Sequence, residues 1–159
     1  MARLRTLEGL ALFALVLTWA NPTKADALAM ASSRLGPAKD IAWFHDLYEA
    51  RRRSLETGRP MLIVFGAPWC HYCREMERTT LADPKIVSYV SSSYIPVRLD
   101  ADRDKRIADI LKVKPIPCTI VLSPNAEPLT KIVGYRDVPK YYGELEKARR
   151  RLVAQRPRR

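Results

Sequence analysis

Phe65-Gly66-Ala67-Pro68-Trp69-Cys70-His71-Tyr72-Cys73 is the stretch on which the reading of the chain turns. Ahead of the cysteines, Met61 to Phe65 is an uninterrupted apolar run of strand length, and a Gly/Pro break ends it. Two cysteines three apart follow, where Arg74, Glu75, Met76 and Glu77 begin a polar, helix-forming segment. The order is strand, tight loop, helix, with both sulfurs in the first helical turn. A helix start carries unpaired N–H groups and a partial positive charge, so it lowers the free energy of an anion placed there. A thiolate is such an anion. Cysteine is nucleophilic only when deprotonated, and Cys-X-X-Cys at a helix start moves its pKa from about 8.5 into the range of roughly 3.5 to 7.5. Cys70 is therefore the expected nucleophile, and Cys73, one turn deeper, the resolving thiol.

Outward from this stretch the chain alternates between the two periodicities of regular structure. Asp46 to Glu56 places Leu47, Ala50 and Leu55 among arginines and reads as an amphipathic helix closed by Gly58 and Pro60. Before it, Ile41-Ala42-Trp43-Phe44 suits a short edge strand or the start of a helix, and His45 an exposed or capping position. The continuous apolar run Met61 to Phe65 suits the middle of a sheet covered on both faces. The helix from Cys70 extends to about Thr80; Asp83 then caps a helix with Pro84 at its first position. Ile95, Val97 and Leu99 alternate in a strand from Tyr94 to Asp100, and Ile107, Ile110 and Leu111 give Asp102 to Leu111 a helical spacing. Thr119–Leu122 and Leu129–Val133 read as strands joined by a hairpin-length turn, and Asp137 caps a last helix from Val138 to about Val153. This order implies an α/β fold, a mixed sheet with helices on both faces.

Trp69-Cys70-X-X-Cys73 after a buried strand resembles the thioredoxin superfamily. Two further stretches carry the likeness. Val113-Lys114-Pro115-Ile116-Pro117-Cys118-Thr119 is similar to the family's cis-proline segment, and Gly134-Tyr135 to the glycine after its last strand. Arg59 to Phe65, Glu75 to Thr80 and Ala82 to Val87 look most like the C-terminal thioredoxin domain of the membrane disulfide reductase DsbD and its free-standing exported relatives. The resemblance covers roughly residues 41 to 152. It implies a thioredoxin-like fold, thiol-disulfide exchange with cysteine pairs of other proteins, no bound cofactor, and a reductant or electron-relay role fed by a membrane donor. It makes Pro117 the cis-proline, in preference to Pro115, so that the Ile116 backbone pairs with an extended substrate beside Cys70, and Trp69 an apolar docking platform. Two positions depart from the family pattern. Val64 stands where many thioredoxins bury an acid six residues before the first cysteine, and Cys118 stands where many relatives have threonine after the cis-proline.

Composition sets the boundaries of this reading. At 159 residues, with 47% apolar and 28% charged residues, the chain suits one globular domain with a core of its own. Leu10 to Ala20 is its only long apolar stretch, preceded by Arg3 and Arg5 and followed by small residues. That is the order of a secretory signal peptide over residues 1–27, with cleavage after Ala20, Ala25 or Ala27, an uncleaved anchor being the rival. Residues 28–40 then form a linker, 41–153 the thioredoxin-like domain and 154–159 a basic tail, and the domain is exported to the periplasm or another extracytoplasmic space, as a monomer. The formal charge of +11 favours acidic partners or an anionic membrane surface, while the absence of a recognition motif argues against nucleic acid.

The residues between the cysteines tune Cys70. His71, as imidazolium, lowers the thiol pKa and stabilises the reduced form, which pulls towards oxidant and against the reductase resemblance; Tyr72 shares this tuning position. Cys118, the odd cysteine in an apolar run, is expected to be a buried core thiol. A structural zinc site needs four ligands, and His71, His45 and Cys118 do not supply two paired clusters. The competing class is a non-catalytic module that carries a metal ion on Cys70, Cys73 and His71.

Overall fold

The computed structural model describes residues 39–155. The expected signal segment, nearly all of the expected linker and the last four residues of the basic tail lie outside them. Helix α1 (Leu47–Thr57) leads into β1 (Met61–Gly66), followed by α2 (His71–Thr79), α3 (Pro84–Ser93) and β2 (Ile95–Asp100). Then come α4 (Lys105–Ile110), β3 (Cys118–Leu122), β4 (Pro128–Val133) and α5 (Val138–Gln155). The strand order is β2-β1-β3-β4, with β1 parallel to β2 and antiparallel to β3, and β4 antiparallel to β3.

The apolar run of β1 is central and buried on both faces, and its two-residue period builds two cores. Leu62 and Val64 point towards α2, α3 and α5, where they join Met76, Ile86, Val90, Tyr141 and Leu145. Met61, Ile63 and Phe65 point the other way, joining Ala50 of α1, Ala108 of α4, and Val97, Leu99, Cys118 and Ile120. This is the mixed sheet with helices on both faces. Buried tyrosines fasten α5 to it: Tyr94 Oη donates to the Leu145 carbonyl (2.6 Å), and Tyr141 Oη shares a hydrogen bond with Thr119 Oγ1 (3.2 Å).

Local sequence sets the helix ends. Asp46 accepts from the Glu49 N–H (2.8 Å), and Gly58, at φ 67°, closes α1 in the left-handed region. Asp83 accepts from the Lys85 and Ile86 N–H groups ahead of α3, and Asp137 from the Lys140 N–H at the start of α5. Two apolar residues expected to face the core do not. Leu55 is 53% exposed and Ile110 69%, while Ser54 and Ala108 take the buried positions. Ser54 is accommodated because its hydroxyl donates to the Arg59 carbonyl. Residues 41–44 are neither a strand nor a helix: Phe44 makes one parallel bridge to Val97 on the outer edge of β2. Helix α4 is shorter than its spacing suggests because Asp100 Oδ1 accepts from the N–H groups of Asp102 and Arg103, which holds residues 101–104 in turns.

Candidate active site

Strand β1 delivers the chain to one end of the sheet, and the loop Ala67-Pro68-Trp69 turns it into α2, with the Cys70 N–H bonded to the Ala67 carbonyl (3.0 Å). Cys70 is the N-cap of α2, in extended backbone conformation, and its sulfur accepts from the Cys73 N–H at 3.2 Å. The first sulfur thus sits just before the helix, where an unpaired N–H points at it. The two sulfurs are joined in a disulfide, with Cα atoms 5.2 Å apart. In this oxidised form both residues are well covered, Cys70 6% and Cys73 4% exposed, and Ile116 packs against them and Ala67.

Ile116 belongs to the facing loop. The Ile116–Pro117 peptide bond is cis, and the Pro117 carbonyl accepts from the Gly134 N–H (2.8 Å), which ties the segment after β4 to this loop. The backbone N–H and carbonyl of Ile116 have no hydrogen-bond partner among the described residues. Such groups are left open for an extended chain laid beside the disulfide. Trp69 is 66% exposed, and its indole N–H donates to Asp102 Oδ2 (2.7 Å). Tyr72 is exposed as well, edge-on to the exposed His71 ring at 5.5 Å between centroids. The residues singled out in the sequence, Trp69, Cys70, His71, Tyr72, Cys73, Ile116 and Pro117, therefore gather at one end of the sheet.

Behind the disulfide lies a feature that sequence reasoning missed. A side chain added at Gly66 would begin 3.6 Å from Cys73 Sγ, so Gly66 lies directly against the deeper cysteine. Gly66 also lines a cavity of about 360 Å³ that includes Val64, Glu77, Arg98 and Asp100. Glu77, one helical turn after Cys73, is held by Arg98 of β2 (3.3 Å), whose guanidinium lies 5.0 Å over the Trp43 ring. Arg98 is the register partner of Val64. Val64 of β1 and Glu77 of α2 thus line the same cavity. The four-residue spacing from Cys73 to Glu77 was the available signal, since it places both on one helix face. Cys118 is fully buried in the core on the α1 side, apart from the pair, and burial pushes its thiol pKa up. Among the described residues no cluster of three or more His, Cys, Asp or Glu is placed to hold a metal ion, and no helix is long and apolar enough to cross a membrane.

A family model described as a thioredoxin-like domain matches residues 47–149. The chain belongs to the thioredoxin-like domain family. Among curated relatives, it is 29% identical over 105 residues to the thiol:disulfide interchange protein DsbD of Ralstonia nicotianae. That match takes in 63% of this chain but 17% of the relative, so the chain spans about a sixth of that protein's length. Among solved structures the fold is similar to the DsbH oxidoreductase, with a TM-score of 0.62 at 16% identity over 70% of this chain and 86% of the other. It is also similar to the oxidised C-terminal domain of Neisseria meningitidis DsbD, with a TM-score of 0.56 at 23% identity over 67% of this chain and 99% of the other. Thioredoxin-like membership accounts for the sheet order and for the cis-proline loop facing the cysteine pair.

Proposed function

We propose that the protein is an exported thiol-disulfide oxidoreductase that reduces, or relays electrons to, disulfides of partner proteins, with Cys70 as nucleophile and Cys73 as resolving thiol. The observation that carries this is the N-cap disulfide facing a cis-proline loop whose Ile116 backbone groups are open. An extended partner segment pairs with Ile116, and Trp69 supplies apolar contact. In the reduced protein the Cys70 thiolate attacks one sulfur of the partner disulfide. A Cys70–partner bond forms, the partner's S–S bond breaks, and the released partner thiolate takes a proton. Cys73 then gives up its proton to Glu77 through water in the cavity behind Gly66 and attacks Cys70 Sγ, and the proton passes on to the second partner sulfur as it leaves. The partner leaves as a dithiol, and the protein keeps the electron deficit as the Cys70–Cys73 disulfide. An external dithiol, delivered from the membrane in the relay reading, restores it.

The test is a pair of variants challenged with a disulfide-bonded protein. Cys70→Ser is expected to abolish exchange, whereas Cys73→Ser accumulates a mixed disulfide visible by mass spectrometry. Normal turnover by Cys70→Ser would refute the assignment. Equilibration of the wild type with glutathione fixes the direction: a potential near the general thioredoxin value of about −270 mV fits a reductant, and one near about −120 mV an oxidant.

A further inference from the structure

Residues 41–44 make one bridge to the sheet, and that bridge decides what Trp43 touches. The Phe44 N–H donates to the Pro96 carbonyl and the Arg98 N–H to the Phe44 carbonyl, both at 2.9 Å, so Phe44 is locked beside Val97 on the outer edge of β2. Neighbouring residues on extended backbone point to opposite faces. Phe44 therefore goes with Val97 into the core on the α1 and α4 side, while Trp43 packs against the other core, which holds Val64 and Met76. Arg98 follows Val97 and is the register partner of Val64, so it shares that side with Trp43, and its guanidinium lies 5.0 Å over the ring.

Arg98 needs this contact. Its ion pair with Glu77 spans 3.3 Å, but the two side chains are 35% and 41% exposed, and a pair so open to water holds two long side chains in place only weakly. Arg98 Nε is buried and has no hydrogen-bond partner among the described residues, so no bond at Nε fixes the plane of the group. What remains is the Trp43 ring, whose negative face attracts a guanidinium and limits where it can swing. Glu77, the partner so held, lines the cavity behind Gly66.

We propose that Trp43 is a positioning residue for the resolving step: by keeping Arg98 on Glu77 it keeps the Glu77 carboxylate at the cavity wall, where the Cys73 proton is taken up. The inference rests on the Glu77 step of the exchange reading and extends it to a residue that acts only through Arg98.

The reduced full-length chain is mixed with a disulfide-bonded peptide and quenched in acid at intervals. Mass spectrometry of the mixed disulfide then separates its formation by Cys70 from its decay by Cys73. Trp43→Leu is expected to leave formation unchanged and to slow decay about threefold or more at pH 7, the deficit closing towards about pH 8.5, where the thiol ionises without a base. Trp43→Phe keeps a ring face and is expected to restore most of the decay rate. In a chain already carrying Glu77→Gln, Trp43→Leu is expected to add nothing. The other charged or titratable groups of the cavity, His45, Arg74, Asp100 and Arg103, are the same in every variant. Trp43→Met repeats the comparison should the leucine variant not fold. Decay at the wild-type rate in Trp43→Leu, or an equal slowing with and without Glu77, would overturn the positioning role and leave the Glu77 step standing. If Glu77→Gln itself leaves decay unchanged, both fall.

Discussion

At Cys73 the chemistry turns on one proton. A buried thiol resists ionisation, and the resolving step needs a thiolate, so something adjacent must accept a proton. Val64 offers nothing. Glu77, which lines the cavity behind Gly66 together with Asp100, is paired with Arg98 and lies one helical turn after Cys73, is the acceptor we propose. Replacing Glu77 by Gln keeps its size while removing the base, and we expect mixed disulfides with substrate to persist roughly tenfold longer or more at pH 7. The deficit should narrow as pH rises towards the ordinary thiol value of about 8.5, where the thiol ionises without help. Acid-quenched time courses read this directly, and an unchanged lifetime in the variant would remove Glu77 from the mechanism. Cys118 gives the opposite case. Its pKa is raised by burial, with only an opposing influence from Lys131, so its thiolate is scarce at a pH where Cys70 reacts. Iodoacetamide at pH 8 should label reduced Cys70 in the folded chain and reach Cys118 only after denaturation, as peptide mass mapping would show.

Among the elements, what was legible in the sequence is what is decided within a few residues. Asp46, Asp83 and Asp137 cap the helices they precede because a carboxylate three or fewer residues ahead of an unpaired N–H needs no tertiary help. Leu55 and Ile110 were misjudged because helical spacing defines a face but not which face the sheet will cover. The Glu77–Arg98 pair joins elements 21 residues apart, and only the β1–β2 register brings Arg98 beside Val64. Three consequences belong to this scale. Asp83→Ala should cost about 1 kcal/mol in urea unfolding. Ala126, at φ 65° in the turn between β3 and β4, adopts a left-handed conformation that costs a residue with a Cβ more than it costs Gly, so Ala126→Gly should gain about 0.5–1 kcal/mol. Asp137 is held below the usual carboxylate range first by the Lys140 N–H and then by the Lys140 and Arg136 charges. A depressed carboxylate contributes stability above its unfolded pKa and loses that contribution as pH falls through the folded value. The start of α5 should therefore weaken on the acid side, and Asp137→Asn should flatten that part of a stability titration followed by circular dichroism.

For the molecule as a whole, direction of electron flow and stability are the same measurement. Folding shifts the potential of the cysteine pair by however much it favours the disulfide over the dithiol, and about 30 mV corresponds to about 1.4 kcal/mol for two electrons. The ring closed by Cys70 and Cys73 is too small to restrict the unfolded chain much. The difference between oxidised and reduced stability therefore reports how the folded protein receives the two thiols. The helix start and any positive charge on His71 stabilise a Cys70 thiolate, which favours the reduced form. Burial of Cys73 against Gly66 and the apolar cover of Ile116 and Ala67 work against an ion there, which favours the disulfide. The reductant reading requires the second pair of effects to win, so the oxidised chain should unfold at a higher urea concentration than the reduced one. Since His71 acts only on the reduced side, His71→Ala should widen that gap and lower the potential. A reduced chain more stable than the oxidised one would reverse the assignment to oxidant, while a gap indifferent to His71→Ala would assign the tuning to the helix start alone.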